Sequence, residues 1–71
     1  MRVWYDSEVD VLRIRLTSAK IQESDEDQPD FIVDYADDGS VVGIEILHAS
    51  QAVEGLPTME FANIRATPVA A

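Results

Sequence analysis

Apolar and polar side chains alternate in two neighbouring stretches of the chain, residues 31–35 and residues 41–47. This period of two is typical of β-strands, and both stretches are rich in β-branched and aromatic residues. Between them, Asp37-Asp38-Gly39 supplies residues that tolerate a positive φ. The pattern predicts a β-hairpin with a tight loop of about three or four residues.

Two more strands are predicted near the N-terminus. Residues 3–5, Val-Trp-Tyr, are strong strand formers, and residues 11–16 alternate cleanly. Residues 7–10 between them have the S-x-x-D spacing of a capping box. We expect residues 6–10 to form one helical turn or a compact corner, because so short a segment does not sustain a helix.

The alternation in residues 11–16 separates a core face from a solvent face. The side chains predicted to face the core are Leu12, Ile14 and Leu16. Arg13 and Arg15 are predicted to lie on the opposite face, where Glu45 or Asp34 on another strand could pair with them. Exposed ion pairs of this kind contribute about 0.2–1 kcal/mol each.

The remaining segments are more polar or less regular. Residues 20–24 suggest a short edge strand, and residues 25–30 an exposed acidic loop that contains Pro29. Residues 48–54 predict a helix of one or two turns, with Ser50 as N-cap and Gly55 after its end. The following segment is expected to be a partly ordered extension that frays over residues 65–71.

These elements predict a single domain spanning residues 1–71. Its class is α+β, mainly β, with a small twisted antiparallel sheet of about four strands and a short C-terminal helix. Such a sheet struggles to bury enough apolar surface, and the chain has no cysteine with which to form a disulfide. Self-association or a partner protein is therefore expected to add burial.

The net charge of −9 is unevenly distributed. The charges of residues 1–16 sum to zero, whereas residues 17–40 carry eight carboxylates and a single basic residue, Lys20. Such a field repels nucleic acid, whose binding depends on lysine and arginine. It favours solubility or a basic protein partner. The absence of cysteine fits the cytoplasm, and neither a signal peptide nor a bilayer-spanning run is apparent, so we expect no membrane association.

The motifs YDSEVDVLRIRL and DYADDGSVVGIEILHAS resemble those of the domain-of-unknown-function family 2283, over about residues 3–50. The resemblance implies a small α+β or mainly β fold with an antiparallel sheet, in prokaryotic proteins without an established activity. It transfers no catalytic residues. It also suggests an acidic, antitoxin-like partner of a ribonuclease-like toxin. His48 departs from the family pattern, where an aspartate or similar polar residue is expected.

No catalytic residue or cofactor is predicted, because the single His48 accompanies no cysteine and no nucleophile motif. A divalent cation could be held by Asp6, Glu8 and Asp10, or by the acidic residues 25–30. The simpler interpretation is that Asp6 caps a turn and that the other carboxylates are solvated. Metal or small-ligand binding is therefore the alternative hypothesis, and no metal ligand is assigned.

Trp4 is the candidate anchor of an interaction surface. Together with Val11 and Val41 it is predicted to form an apolar patch on the outer face, with Arg13 and Arg15 at its edge. The C-terminal segment could instead cover Trp4 through Leu56, Met59 or Phe61, and the sequence leaves both alternatives open. The favoured function is a non-enzymatic interaction module that self-associates or binds a basic protein.

Overall fold

The structure is a computed structural model that describes residues 1–65, and in this range it contains a five-stranded antiparallel sheet and one short helix. The elements are β1 (Arg2–Asp6), β2 (Val11–Arg15), β3 (Glu23–Gln28), β4 (Phe31–Tyr35), β5 (Val41–Leu47) and α1 (Ala49–Ala52). The mainly β class and the antiparallel sheet are confirmed, but the predicted count of four strands was one too low. The predicted frayed end, residues 65–71, lies outside the described residues except for Arg65.

The strand order is β1-β2-β5-β4-β3, so β1 and β3 are the two edges. The predicted hairpin of residues 31–47 is confirmed as β4 and β5. Its loop, residues 36–40, is slightly longer than predicted, and Gly39 adopts the expected positive φ of 83°. The loop is closed by hydrogen bonds from the Ala36 amide to the Ser40 carbonyl and from the Gly39 amide to the Ala36 carbonyl, both 2.9 Å.

The prediction for residues 20–30 was wrong in its boundaries. The edge strand β3 occupies Glu23–Gln28, most of which was predicted as an acidic loop. Its six exposed residues have little strand propensity, but they pair with the otherwise free edge of β4. A tight turn at Pro29 and Asp30 follows, and Asp30 adopts a φ of 70°. Backbone pairing with β4 therefore outweighs the local preference for a loop.

The connection from β2 to β3, residues 16–22, crosses the end of the sheet past β5 and β4. The amides of Leu16 and Thr17 donate to the Val42 carbonyl at 2.7 and 3.3 Å, and the Gln22 amide donates to the Tyr35 carbonyl at 2.8 Å. Leu16, predicted to face the core, lies in this connection and is 41% exposed. Because β2 ends at Arg15, the strand alternation does not determine where the Leu16 side chain points.

The core lies between one face of the sheet and the segment that follows β5. Leu12, Ile46 and Ala49 are buried there, and the partly buried side chains packed around them are Val3, Tyr5, Ile44, Val53 and Leu56. We call this the inner face. Val42 is fully buried as well. The core position predicted for Leu12 is confirmed, whereas Ile14 is only half-buried.

The helix after β5 is shorter than predicted and begins earlier. α1 covers four residues, and its N-cap is His48, with a φ of 51°, instead of Ser50. The chain is extended again at Val53, so Gly55 lies beyond the helix end. Within residues 1–65, no helix has the length and apolar character needed to cross a membrane.

Candidate functional site

The face opposite the core, which we call the outer face, carries Trp4. Cross-strand partners in an antiparallel sheet project to the same side. The register places Trp4 opposite Arg13, and Arg13 opposite Glu45. These residues alternate with the core residues Tyr5 and Leu12. Trp4 is half-buried, and the prediction that it lies with Arg13 and Arg15 on the outer face is confirmed.

The arginines of the outer face have different partners. The Arg13 Nε atom donates to Glu45 Oε1 at 3.2 Å, which confirms one of the two predicted cross-strand partners. Arg15 does not pair with a strand carboxylate; it donates to the carbonyls of Thr17 and Ala19 at 3.0 and 2.7 Å. It thereby ties the crossing connection to the sheet.

Arg2 is a member of this surface that sequence reasoning had not assigned to it. Its guanidinium lies over the Trp4 ring, 4.7 Å from the ring centroid, in a cation–π contact. Arg2 is also directly opposite Arg15 in the register, a like-charge pairing that is unfavourable. Within residues 1–65, Arg2 has no carboxylate within 4.0 Å. The i, i+2 spacing of Arg2 and Trp4 was the available sequence signal.

Two shallow hollows flank Trp4. One, of about 550 Å³, lies beside Arg2 and Leu16. The other, of about 280 Å³, is lined by Trp4, Arg13, Ile21, Asp34, Gly43 and Glu45. Asp34 is a buried carboxylate that accepts a hydrogen bond of 2.6 Å from the Ser24 hydroxyl. The outer face thus combines an aromatic ring, guanidinium groups and adjacent concave surface.

Two residues of the predicted patch contribute less to the outer face than the sequence predicted. The register places Val11 on the outer face, opposite Asp6, as predicted, but it is buried, with 7% of its surface exposed, and offers little contact area. Val41 is 38% exposed but lies opposite Tyr35, because the register shifts between Asp34 and Tyr35. That shift breaks the simple alternation, so Val41 is on the side of the inner face.

The proposed covering of Trp4 by the C-terminal segment is wrong for the described residues. Leu56 packs against the core on the inner face. Met59 lines a hollow of about 290 Å³ on that same face, beside Val3 and Tyr5. Phe61 is 74% exposed. The segment therefore covers the face opposite Trp4.

The carboxylates at the corner between β1 and β2 have separate structural roles. Asp6 accepts the Glu8 amide at 3.0 Å, as predicted for a turn cap. Asp10, interpreted from sequence as solvated, instead accepts hydrogen bonds from the Tyr5 hydroxyl at 2.5 Å and from the Ser50 amide and hydroxyl at 2.9 and 2.7 Å. It therefore joins β1, the corner and α1.

These hydrogen bonds shift two ionisation equilibria. The Tyr5 hydroxyl, followed by the Ser50 hydroxyl and amide, lowers the pKa of Asp10 below its ordinary value. The same hydrogen bond raises the pKa of Tyr5, with burial as a second cause. The junction is thus formed by an ionised aspartate and a neutral tyrosine.

The acidic residues 25–30 are spread along an edge instead of converging. Glu26 accepts the Asp30 amide at 2.9 Å, and Asp30 lies 3.1 Å from the Nδ1 atom of the exposed His48. In the part of the chain that the structure describes, no three His, Asp or Glu residues are arranged to hold a metal ion.

Removal of divalent cations should leave the melting temperature unchanged, because the carboxylates at the corner bind protein donors and those of β3 do not converge. The measurement is a thermal melt with a chelator and with added calcium or magnesium. An increase of several degrees on adding either ion would instead support the metal-binding hypothesis.

Comparison with known proteins identifies one family. The model of DUF2283, described as a protein of unknown function, matches residues 2–50, which include all five strands and the start of α1. No curated protein and no solved structure matches the chain significantly.

Proposed function

We propose that this chain, which belongs to the DUF2283 family, is a non-enzymatic protein–protein interaction module and that it self-associates through its outer face. The observation that carries this proposal is the position of Trp4. It is half-buried beneath Arg2, beside Arg13, on the face that the described C-terminal segment leaves uncovered. Tryptophan and arginine are the residue types most enriched among interface anchors.

The small size of the core supports the need for additional burial. Among residues 1–65, the buried apolar side chains are Val11, Leu12, Val42, Ile46 and Ala49. A single open sheet with one covered face gains stability when its other face or an edge is buried against a partner.

Charge favours proteins over nucleic acid as partners. The net charge is −9, and β3 exposes four carboxylates, Glu23, Asp25, Glu26 and Asp27. This acidic edge is the feature that would suit a basic protein, in an antitoxin-like role. The outer face, with the cation–π pair of Arg2 and Trp4 and with Arg13, is the more suitable surface for a second copy. The cysteine-free composition is consistent with a cytoplasmic module.

Replacing Trp4 with serine should weaken self-association by about thirtyfold or more, since loss of a central aromatic anchor costs at least about 2 kcal/mol. The measurement is the solution mass by light scattering across a dilution series. Trp4 is the only tryptophan, so the fluorescence of the wild-type protein should also shift to shorter wavelength as association buries the ring.

The matched control is Phe61→Ser, which removes an exposed aromatic side chain from the C-terminal segment that lines neither of the two hollows beside Trp4. We expect this variant to associate as the wild type does. A wild-type protein that stays monomeric at every accessible concentration would contradict self-association. A dimer unaffected by Trp4→Ser would contradict the role of the outer face.

A further inference from the structure

The two edges of the sheet differ in how they resist the addition of another strand. The β3 edge is strongly acidic and has a register irregularity between Glu26 and Gln28. Charges and bulges of this kind discourage edge-to-edge pairing. The β1 edge pairs with β2 in a regular register along all five residues and carries charge only at its ends, Arg2 and Asp6. β1 is thus the edge open to another strand.

The free side of β1 has no partner among the described residues. β2 is its only neighbouring strand, and no backbone hydrogen bond from the loops or the C-terminal segment reaches β1 within residues 1–65. Unpaired amides and carbonyls along a regular strand are a template for strand addition.

We propose that β1 pairs antiparallel with β1 of a second copy around a twofold axis at Trp4, which joins the two sheets into one. The proposal rests on the self-association proposed above and specifies its contact. The sequence Arg2-Val-Trp-Tyr-Asp6 is complementary to itself in this arrangement. Arg2 lies opposite Asp6 of the second copy, Val3 lies opposite its Tyr5, and the two Trp4 residues face each other.

No other register of two β1 strands forms both ion pairs. A shift by one residue would place outer-face residues opposite inner-face residues, turning one sheet over relative to the other. A shift by two residues in either direction would move Arg2 and Asp6 away from each other. The register centred on Trp4 keeps the two inner faces on one side, so that α1 of each copy covers the same side of the joined sheet.

The same register also gives the Arg2 guanidinium on the outer face a carboxylate partner. Arg2 lies opposite Arg15 and, within residues 1–65, has no carboxylate in contact. Asp6 of the second copy would supply that counter-charge, and the twofold symmetry would produce two equivalent ion pairs. The two Trp4 rings would be central, each beneath its own Arg2, as expected of an interface anchor.

Charge reversal tests the register. Arg2→Glu and Asp6→Lys each replace two attractive pairs with two repulsive ones, and each should weaken self-association of the full chain by roughly tenfold or more. An equimolar mixture of the two variants restores two attractive pairs. We expect it to form heterodimers with an affinity within about threefold of the wild type. The measurements are dilution series by light scattering and native mass spectrometry, which distinguishes heterodimers.

The controls are Lys20→Glu and Glu8→Lys, which change the net charge as the two test variants do but lie outside β1. Far-UV circular dichroism verifies that each variant is folded, since Asp6 also accepts the Glu8 amide. If the wild type dimerises but the mixture does not recover, the β1 pairing is overturned while the interaction function remains. If the single variants dimerise as tightly as the wild type, the pairing is likewise overturned. A monomeric wild type overturns both proposals.

Discussion

Replacing Gly43 with alanine should cost about 3 kcal/mol of folding free energy, because the new Cβ atom would lie 2.8 Å from the Ile14 carbonyl oxygen. That oxygen belongs to the backbone of β2, which pairs with β5 at this point, so it cannot move as a flexible side chain can. A small domain has only a few kcal/mol of stability. The melting temperature should therefore fall by on the order of 10 °C or more in a thermal melt.

Gly39→Ala is the matched control for Gly43→Ala. Gly39 adopts a φ of 83° in the β4–β5 loop, and an added Cβ atom would meet nothing within 4 Å. Its replacement should cost only about 1 kcal/mol, the strain of a left-handed backbone with a side chain. Equal losses for the two variants would show that the close approach of β2 and β5 is not what requires Gly43.

Replacing Asp10 with alanine should lower the melting temperature by about 10 °C. The substitution removes three hydrogen bonds, from the Tyr5 hydroxyl and from the Ser50 amide and hydroxyl. It also places alanine at a φ of 57°, a conformation that aspartate tolerates better. The Ser50 amide should then exchange its hydrogen faster, because the substitution removes its acceptor. The hydrogen bond from the Ala49 amide to the carbonyl of residue 10, 3.0 Å long, is retained.

Asp38→Ala is the control for the loss of a hydrogen-bonded carboxylate. Asp38 accepts hydrogen bonds from the Ser40 amide and hydroxyl at 3.0 and 2.6 Å, all within one surface loop. Its loss should affect stability less than the loss of Asp10, which connects residues 40 positions apart. A larger effect at Asp38 would contradict the junction role of Asp10.

The same junction predicts how stability depends on pH. Because the hydrogen bonds from Tyr5 and Ser50 lower the pKa of Asp10, its contribution is present above the ordinary value near 3.9 and disappears as the pH falls through the lowered pKa. The pKa of Tyr5 is raised, so the stability that its neutral hydroxyl contributes is present below about pH 10 and is lost as the pH rises through the raised pKa. Melting temperatures of Tyr5→Phe across pH should show both dependences reduced.

Several features of the candidate site could be predicted from sequence because they depend on strand alternation alone. The period of two in residues 11–16 placed Arg13 opposite the core, and the same period in β5 made Glu45 available to it. The burial of Val11 and the position of Val41 could not be predicted in this way. Val11 lies on the predicted face but is buried at the start of β2, and the register irregularity beside Tyr35 moves Val41 to the other face.

Local pattern by itself determined the central hairpin, the β2 strand, the turn at Gly39 and the outer position of Trp4, since each follows from the side-chain period or from residues that favour a positive φ. The tertiary structure decided the rest. β3 is a strand because β4 has a free edge to pair with, and Asp10 is a junction because folding brings Ser50 to it. Up to residue 65, the C-terminal segment leaves Trp4 uncovered because Leu56 packs on the inner face, where Leu12 and Ile46 are buried. These outcomes depend on contacts between residues far apart in sequence, which no local pattern encodes.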